Sequence, residues 1–471
     1  MSGLPGGWES EKLSTIATRI TKGSTPTSYG FGYQSHGISF VKVENLERGR
    51  INQSSFKHFI SEEANSNQRR SILEAGDILF SIAGTIGATC LVTENDLPAN
   101  TNQALAIIKG TLSVFDPSFL RYQLESEVTQ KQADNRKRGG GMFNVSLTDV
   151  GNLDMLVAPL DEQKRIVEKL EKLVGKVEAV QERLDKIPVI LKRFRQSVLA
   201  AACSGKLTSD WRELYGFQTI PESKDGMVDD DHLPELPSTW HWSVIGEIGT
   251  AKGGKRLPKG EALVNDDTGQ PYIKAGNLKN GTVSRDGIQF VPDHIKDKIK
   301  NYKVNTNDVY ITIVGACIGD AGIVPHDFDG ANLTENAAKI CNLLETDAKF
   351  LAFWLRSPTC QSYIQDNILS AAQGKLALFR IEQLPTPICS IEEQKEIVRR
   401  IEDLFKFADQ IEERYKKSRS YTDKLTQSIL AKAFRGELVP QDPNDEPASV
   451  LLERIAAQRR VTDDGSRPAA S

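Results

Sequence analysis

A mixed α/β fold built twice is predicted for this chain. Two globular units of short strands and helices are joined by two long antiparallel coiled-coil helices in a pseudo-two-fold internal repeat. Three observations predict it. Two stretches of the 471 residues repeat each other without a gap at an offset of 231. Both carry apolar residues at the alternating four-three spacing of a coiled-coil seam. The segments beside them hold short β-rich runs bounded by Gly, Asn and Asp.

The repeat fixes the plan. LDEQKRIVEKLEKLVGKVEAV (160–180) matches IEEQKEIVRRIEDLFKFADQI (391–411), and Gln196-Ser197-Val198-Leu199-Ala200 falls on Gln427-Ser428-Ile429-Leu430-Ala431. The stretches between repeat more faintly: Trp8 falls on Trp240, Phe40-Val41-Lys42 on Tyr272-Ile273-Lys274, and GDILFSIAGTIG (76–87) on NDVYITIVGACIG (307–319). The order is A-B-A′-B′, with B tightly kept and A drifting. It divides the chain into a first globular unit (1–158), a first spacer helix (159–208), an acidic Pro-containing linker (209–239), a second globular unit (240–389), a second spacer helix (390–438) and a tail with a short helix (439–471).

In the first spacer the seam runs through Ile166, Leu170, Leu173, Val177, Val180, Leu184, Ile187, Leu191, Phe194 and Val198. The second keeps Ile397, Ile401, Leu404, Ala408 and Ile411, turns polar at Tyr415, Ser418 and Thr422, and recovers at Leu425 and Ile429. About 43 helical residues span roughly 65 Å. Pro188 predicts a kink or break in the first copy. Gly205 and Gly436 stand where each helix stops, and Ser390 with Glu393 has the form of a capping box. Acids at the helix starts, Glu392 and Glu393, favour the dipole. A second apolar row, Val167, Val174 and Leu199 with Val398, Phe405 and Leu430, is either a docking face for other subunits or a contact with the chain's own globular units.

In the globular units ISFVKV (38–43), DILFSIA (77–83) and LAIIK (105–109) read as strands, matched by YIKAG (272–276), DVYITIV (308–314) and AAKICNLL (337–344). FLRYQLESEVTQKQA (119–133) and AKFLAFWLRSPTCQSYI (348–364) read as helices.

Bulk properties exclude several classes. No apolar run is long enough to span a membrane, and MSGLPGGWES has no signal-peptide pattern. The six cysteines are scattered without a C-x-x-C pair, which fits a reducing cytoplasm and argues against zinc. Net charge is −4 overall, and −1 and 0 for residues 1–158 and 240–388. A nucleic-acid binder of this charge must gather its cations on one face or share the phosphates with a partner.

Polar and basic residues in turns beside the strands are the candidate DNA contacts, because Asn and Gln suit adenine, Arg and Lys suit guanine, and cations hold phosphate. In the first unit they are Lys22, Lys42, Asn45, Arg48, Arg50, Ser81, Thr85, Asn100, Asn102, Gln103, Arg136, Lys137 and Arg138. In the second they are Lys252, Lys255, Arg256, Lys274, Asn277, Lys279, Thr312, Asn332, Glu335, Asn336, Gln373, Lys375 and Arg380. No catalytic or metal site is expected. No methyltransferase Gly-rich loop or N/D-P-P-aromatic motif occurs, nor H-E-x-x-H or G-x-S-x-G. GTAKGGKR (249–256) approaches a P-loop, but Arg256 replaces the magnesium-binding hydroxyl and Leu257-Pro258 stands where a helix must begin.

With this plan, PLDEQKRIVEKL (159–170), LKRFRQSVLAAACSGKLT (191–208), EEQKEIVRRIEDLF (392–405), LTQSILAKAFRGEL (425–438) and the tail ASVLLERI (448–455) closely resemble the specificity subunits of type I restriction-modification enzymes. The likeness covers nearly the whole chain. The globular units resemble the family's target recognition domains in plan only. The resemblance implies that each unit reads one half of a split double-stranded DNA site and that the helices set the gap. It implies that two methyltransferase subunits dock on the helices and that two restriction subunits add translocation and cleavage. S-adenosylmethionine, ATP and Mg would then sit on those partners and none on this chain, which would be non-catalytic and cytoplasmic. A scaffold indifferent to DNA, or an enzyme with an unfamiliar site, are the rival readings.

Overall fold

The structure, a computed structural model, describes residues 4–111, 115–138, 143–215, 233–369 and 374–464. Its contacts divide the chain into two units, Met1–Asp185 with Lys417–Ser471, and Lys186–Lys416. This grouping divides each spacer near its middle.

In the first unit a four-stranded antiparallel sheet runs in the order Ala17–Lys22, Leu105–Thr111, Ile78–Ser81, Thr89–Leu91. A three-stranded sheet places Ile38–Val41 between Phe59–Ile60 and Ala99–Thr101, pairing parallel with the latter. The first strand, Glu9–Lys12, pairs antiparallel with the last, Asp154–Val157, so the chain comes in and leaves beside the start of its spacer helix. The second unit repeats each of these. Its larger sheet orders Thr250–Gly253, Ala337–Cys341, Val309–Thr312 and Ala321–Ile323. Pro271–Ile273 pairs parallel with Asn332–Leu333, and His241–Val244 pairs with Pro385–Ile388. The predicted strands are therefore present; five are two or three residues shorter than their apolar runs, and Leu105–Thr111 extends two residues beyond its run.

The helical runs each break once. Ser126 is extended (φ −64°, ψ 145°) and splits Pro117–Glu125 from Glu127–Asp134, its hydroxyl capping the second helix. Ser357 lies between Ala348–Leu355 and Pro358–Leu369, and its hydroxyl accepts from the Cys360 amide at 3.2 Å. Apolar side chains on these helices close the sheets. Phe119 and Leu120 pack with Ile16, Phe80 and Ile108 in the first unit, and Leu351 and Trp354 with Ile311 and Ile340 in the second. Each such side chain contributes roughly 1.5–3 kcal/mol by leaving water.

The first spacer is two helices, Leu160–Leu184 and Ile187–Cys203, with Pro188 in the first turn of the second, where its missing N–H costs nothing. The second spacer is one helix, Ile391–Ala433, of which the part through Lys416 belongs to the second unit. Within each unit the spacer segments run antiparallel. In the first, Gln181 donates to Asp423 at 2.9 Å and, four residues on, Asp185 meets Arg419 at 3.0 Å. In the second, Arg195 reaches Asp409 at 2.7 Å and Glu412 at 2.9 Å. The predicted seam departs at one position, where Val180 is exposed and Gln181 is buried in its place, and it resumes with Leu191 and Val198 buried. Gln181 remains buried by hydrogen-bonding across to the other helix.

Gly205 and Gly436 end the two spacers in the left-handed region, with φ of 72° and 70°. The expected linker is helical at its start, Ser209–Tyr215; residues 216–232 lie outside the described set. The tail forms the helix Ala448–Asp464, with Leu451 and Ile455 buried against Leu160. No helix among the described residues is long and apolar enough to cross a membrane.

Candidate nucleic-acid interface

Strand register gathers most of the candidate residues at one end of each larger sheet. In the first unit Ser81 lies opposite Leu105, and Lys22 opposite Ala106, so the Ser81–Gly87 turn, Asn102 and Gln103 share that end with Lys22. Parallel pairing of Val41 with Thr101 brings Lys42 to the same place. Ala83 bridges Asn144, which bridges Arg138, so Asn144 and Arg138 join them. The backbone is tight here: a Cβ on Gly23 would stand 1.9 Å from the Thr101 carbonyl oxygen.

The second unit builds the same end. Lys255 donates its amide to Leu333 at 2.8 Å, Lys274 follows Ile273 beside Leu333, and Leu376 donates to Ile313, which carries Lys375 to the turn. Arg256 extends from this end and pairs with Glu335 at 2.6 Å, and Asn336 adjoins. Lys252 is exposed on the edge strand, and Arg380 lies in the short helix packed beside it. Gln373 lies outside the described residues.

The exposed or half-exposed members of this set are Lys22, Lys42, Thr85, Asn102, Gln103 and Arg138 in the first unit. In the second they are Lys252, Lys255, Arg256, Lys274, Glu335, Asn336, Lys375 and Arg380. Gln103 is held by the Thr25 hydroxyl, and Lys274 donates to Gln289 at 2.9 Å. Arg136 spends its guanidinium on the carbonyls of Gln132 and Asn152, and Lys137 pairs with Asp134.

Six candidates are buried within the fold rather than presented at its surface. Asn45 and Asn277 close the same turn in each unit, accepting from the amides of Lys42 at 2.8 Å and Lys274 at 3.0 Å. Asn100 and Asn332 are fully or nearly fully buried and donate to Asn65 and to the Ile299 carbonyl. Ser81 ties its own turn, accepting from Ala88 at 2.8 Å and donating to the Thr85 carbonyl, and Thr312 is buried at the matching position. Three more lie at the far end of the sheets. Arg48 lies in, and Arg50 follows, a hairpin turn whose Gly49 carbonyl accepts from Leu91, and Lys279 flanks the equivalent turn and pairs with Asp286.

The second apolar row packs against the chain itself, with Phe405 half-buried. Val167, Val174 and Leu430 are buried in the first unit's core. Leu199 and Val398 are buried with Trp240 and Phe350, and Phe405 packs on Phe353 at 5.9 Å. The alternative stated from the sequence, contact with the chain's own globular units, describes all six.

Two features escaped the sequence reading. Aromatic rings stand beside the clustered cations: Lys42 lies 4.7 Å over Tyr33, and Lys255 lies 5.6 Å over Tyr302. The glycine-spaced aromatics of SYGFGY (28–33) were the available signal. The second is a clamp between each globular unit and its spacer. Trp8 donates to Glu162 at 3.0 Å and Trp240 to Glu393 at 2.9 Å. Next in sequence, Gln163 and Gln394 accept from the amides of Asp116 and Asp347, residues that themselves cap the following helices. Glu393 thus does more than favour the helix dipole. Ser390 supplies half of the expected box, capping the Glu393 amide at 3.2 Å, while the Glu393 carboxylate turns inward to Trp240, Thr208 and Arg212.

The near-P-loop is a strand, Thr250–Gly253, and no helix follows it, which removes the helix N-terminus a nucleotide would need. No group of three or more His, Cys, Asp or Glu among the described residues is placed to hold a metal ion. Burial raises the Cys90 and Cys203 thiols to about 12, so neither is a ready nucleophile.

Comparison with known proteins agrees with this picture. The family described as type I restriction modification DNA specificity domain matches twice, over residues 5–189 and 237–418. The chain is 30% identical over 466 residues to the type I restriction enzyme EcoBI specificity subunit of Escherichia coli, covering 97% of this chain and 93% of that one. It is 24% identical to the EcoKI specificity subunit of Escherichia coli strain K12, covering 98% and 97%. A chain from a solved type I R-M system, studied for complex assembly and conformational transition, shares the fold with a TM-score of 0.64 at 18% identity, over 93% of this chain and all of that one. The chain belongs to the type I restriction-modification specificity family and is the non-catalytic DNA-specificity subunit of such a system.

Proposed function

We propose that the chain is a two-headed reader of a bipartite, asymmetric DNA site. The clustered end of the first unit reads one half-site and that of the second unit reads the other, with the spacer helices fixing the gap. One observation carries this reading. The two units keep the same clamps and turn-closing asparagines, yet differ at their exposed ends: Lys42 packs on Tyr33 in one, while in the other its counterpart Lys274 donates to Gln289 and Arg256 pairs with Glu335 beside Lys255. Like frames with unlike tips suit two readers of unlike sequences.

The near-zero charge of both units supports shared phosphate binding. In this reading two methyltransferase subunits dock on the conserved spacers, close around the duplex and bind S-adenosylmethionine. Two restriction subunits join through them with ATP and Mg, and the assembly works in the cytoplasm. Sequencing of methylated adenine in a host carrying this chain with its cognate modification subunit tests the proposal. A new split motif with two unlike halves is expected. Assembled complex without any new methylated motif counts against it and favours a scaffold indifferent to DNA.

A further inference from the structure

The hairpin Leu46–Glu47 with Arg50–Ile51 turns through Arg48 and Gly49, with φ of 50° and 73°. A left-handed arginine is disfavoured by roughly 1–2 kcal/mol, and such a residue persists where its surroundings hold it. Two contacts hold this turn. A Cβ on Gly49 would stand 2.1 Å from Arg121 Nη1, so the turn lies directly on that guanidinium. The Arg48 guanidinium forks onto the first spacer helix, reaching Glu182 and Asp185 at 3.1 Å each. Asp185 also binds Arg419 of the second spacer helix at 3.0 Å. A cleft of about 540 Å³ opens between this hairpin and the two helices. At this point charges, rather than apolar packing, tie the globular domain to the spacers.

The second unit makes the same turn without the tie. Asn280 and Gly281 have φ of 58° and 78°, and a Cβ on Gly281 would stand 2.2 Å from Arg356 Nη1. Asn280 stands where Arg48 does and lacks its reach. Glu413 and Lys416 occupy the helical positions that match Glu182 and Asp185, so one acid of the pair is replaced by a cation. The turn is common to both units, and the arginine is particular to one.

We propose that Arg48 is a positioning residue that sets the seat of the first globular domain on the spacer helices, and through it the gap accepted between half-sites. The inference rests on the bipartite reading above. Its test uses the complex with cognate modification subunits and DNA carrying both half-sites at the native gap or one base pair longer or shorter. Arg48→Asn keeps a left-handed turn of the kind the other hairpin uses, and Asp185→Asn breaks the same tie from the helix. Both variants are expected to raise methylation of off-gap sites relative to the native gap by roughly threefold to tenfold, the size of effect a small ion network carries. Arg48→Lys, which keeps the charge, recovers much of the selectivity. High salt relaxes the wild type toward the variants and moves the variants little.

An unchanged ratio in folded variants overturns the proposal. So does an equal loss at every gap, the result expected if Arg48 merely contacts DNA or stabilises the fold. A wild-type complex with no gap preference overturns the bipartite reading itself, which separates the two failures.

Discussion

Trp240 donates its indole N–H to the buried carboxylate of Glu393 at 2.9 Å, bridging 153 residues of sequence. The pair fastens the first strand of the second unit to the start of its spacer helix. Trp8 and Glu162 do the same in the first unit at 3.0 Å. What differs is the counter-charge. Glu393 has Arg212 at 2.5 Å, both side chains being at most a tenth exposed.

Arg212→Met should therefore be costly. It leaves Glu393 buried without its cation, a change worth about 3–5 kcal/mol. Adding Glu393→Gln should recover a large part, because the amide oxygen still accepts from Trp240 without a charge. Trp240→Phe, which removes only the donor and some packing, should cost about 1–3 kcal/mol. Denaturant unfolding followed by circular dichroism checks all three. Equal losses for Arg212→Met alone and with Glu393→Gln would contradict the ion-pair account.

Glu162 yields a pH prediction. Burial raises its carboxyl above the ordinary value, against the lowering pull of the Trp8 hydrogen bond and nearby Arg165. The folded chain then holds this proton more tightly than the unfolded chain. Its contribution to stability falls as pH rises from the unfolded value through the raised one. Glu162→Gln keeps an acceptor for Trp8 and removes the titration. The variant should gain on the wild type as pH climbs from about 4 to 7. Stability measured across that range should show the two curves diverging upward in pH; parallel curves would place the Glu162 pKa at its ordinary value.

The exposed and buried candidates should separate in binding assays. Lys255→Gln and Arg256→Gln remove cations from the clustered end. Each phosphate interaction removed in this way should reduce the salt slope of DNA binding by about one. Asn277→Ala should instead lower stability by about 1–3 kcal/mol, because its turn-closing hydrogen bonds are gone, and leave base preference unchanged. Titrations of the assembled complex at several salt concentrations distinguish the two classes.

The difference between those classes marks where the sequence stops being legible. The duplication, the strands and the left-handed stops at Gly205 and Gly436 follow from patterns a few residues wide. Pro188 signalled a break, and the chain places that proline in the first turn of a new helix. The functional residues are harder to read because polarity does not report direction. Asn45 and Asn102 read alike in sequence, yet one closes a turn inside the fold and the other stands at the exposed end. Arg48 and Arg138 differ in the same way, since the strand register sends them to opposite ends of one sheet. Glu162 and Glu393 look like solvated first-turn acids until their distant tryptophans are in place.

The central claim is that each unit reads its own half of the DNA site. Its most direct test exchanges residues 1–158 for the equivalent unit of another specificity subunit and maps adenine methylation in cells with the cognate modification subunit. The account predicts a motif in which one half changes while the other half and the gap persist. A motif altered in both halves, or in neither, would contradict it.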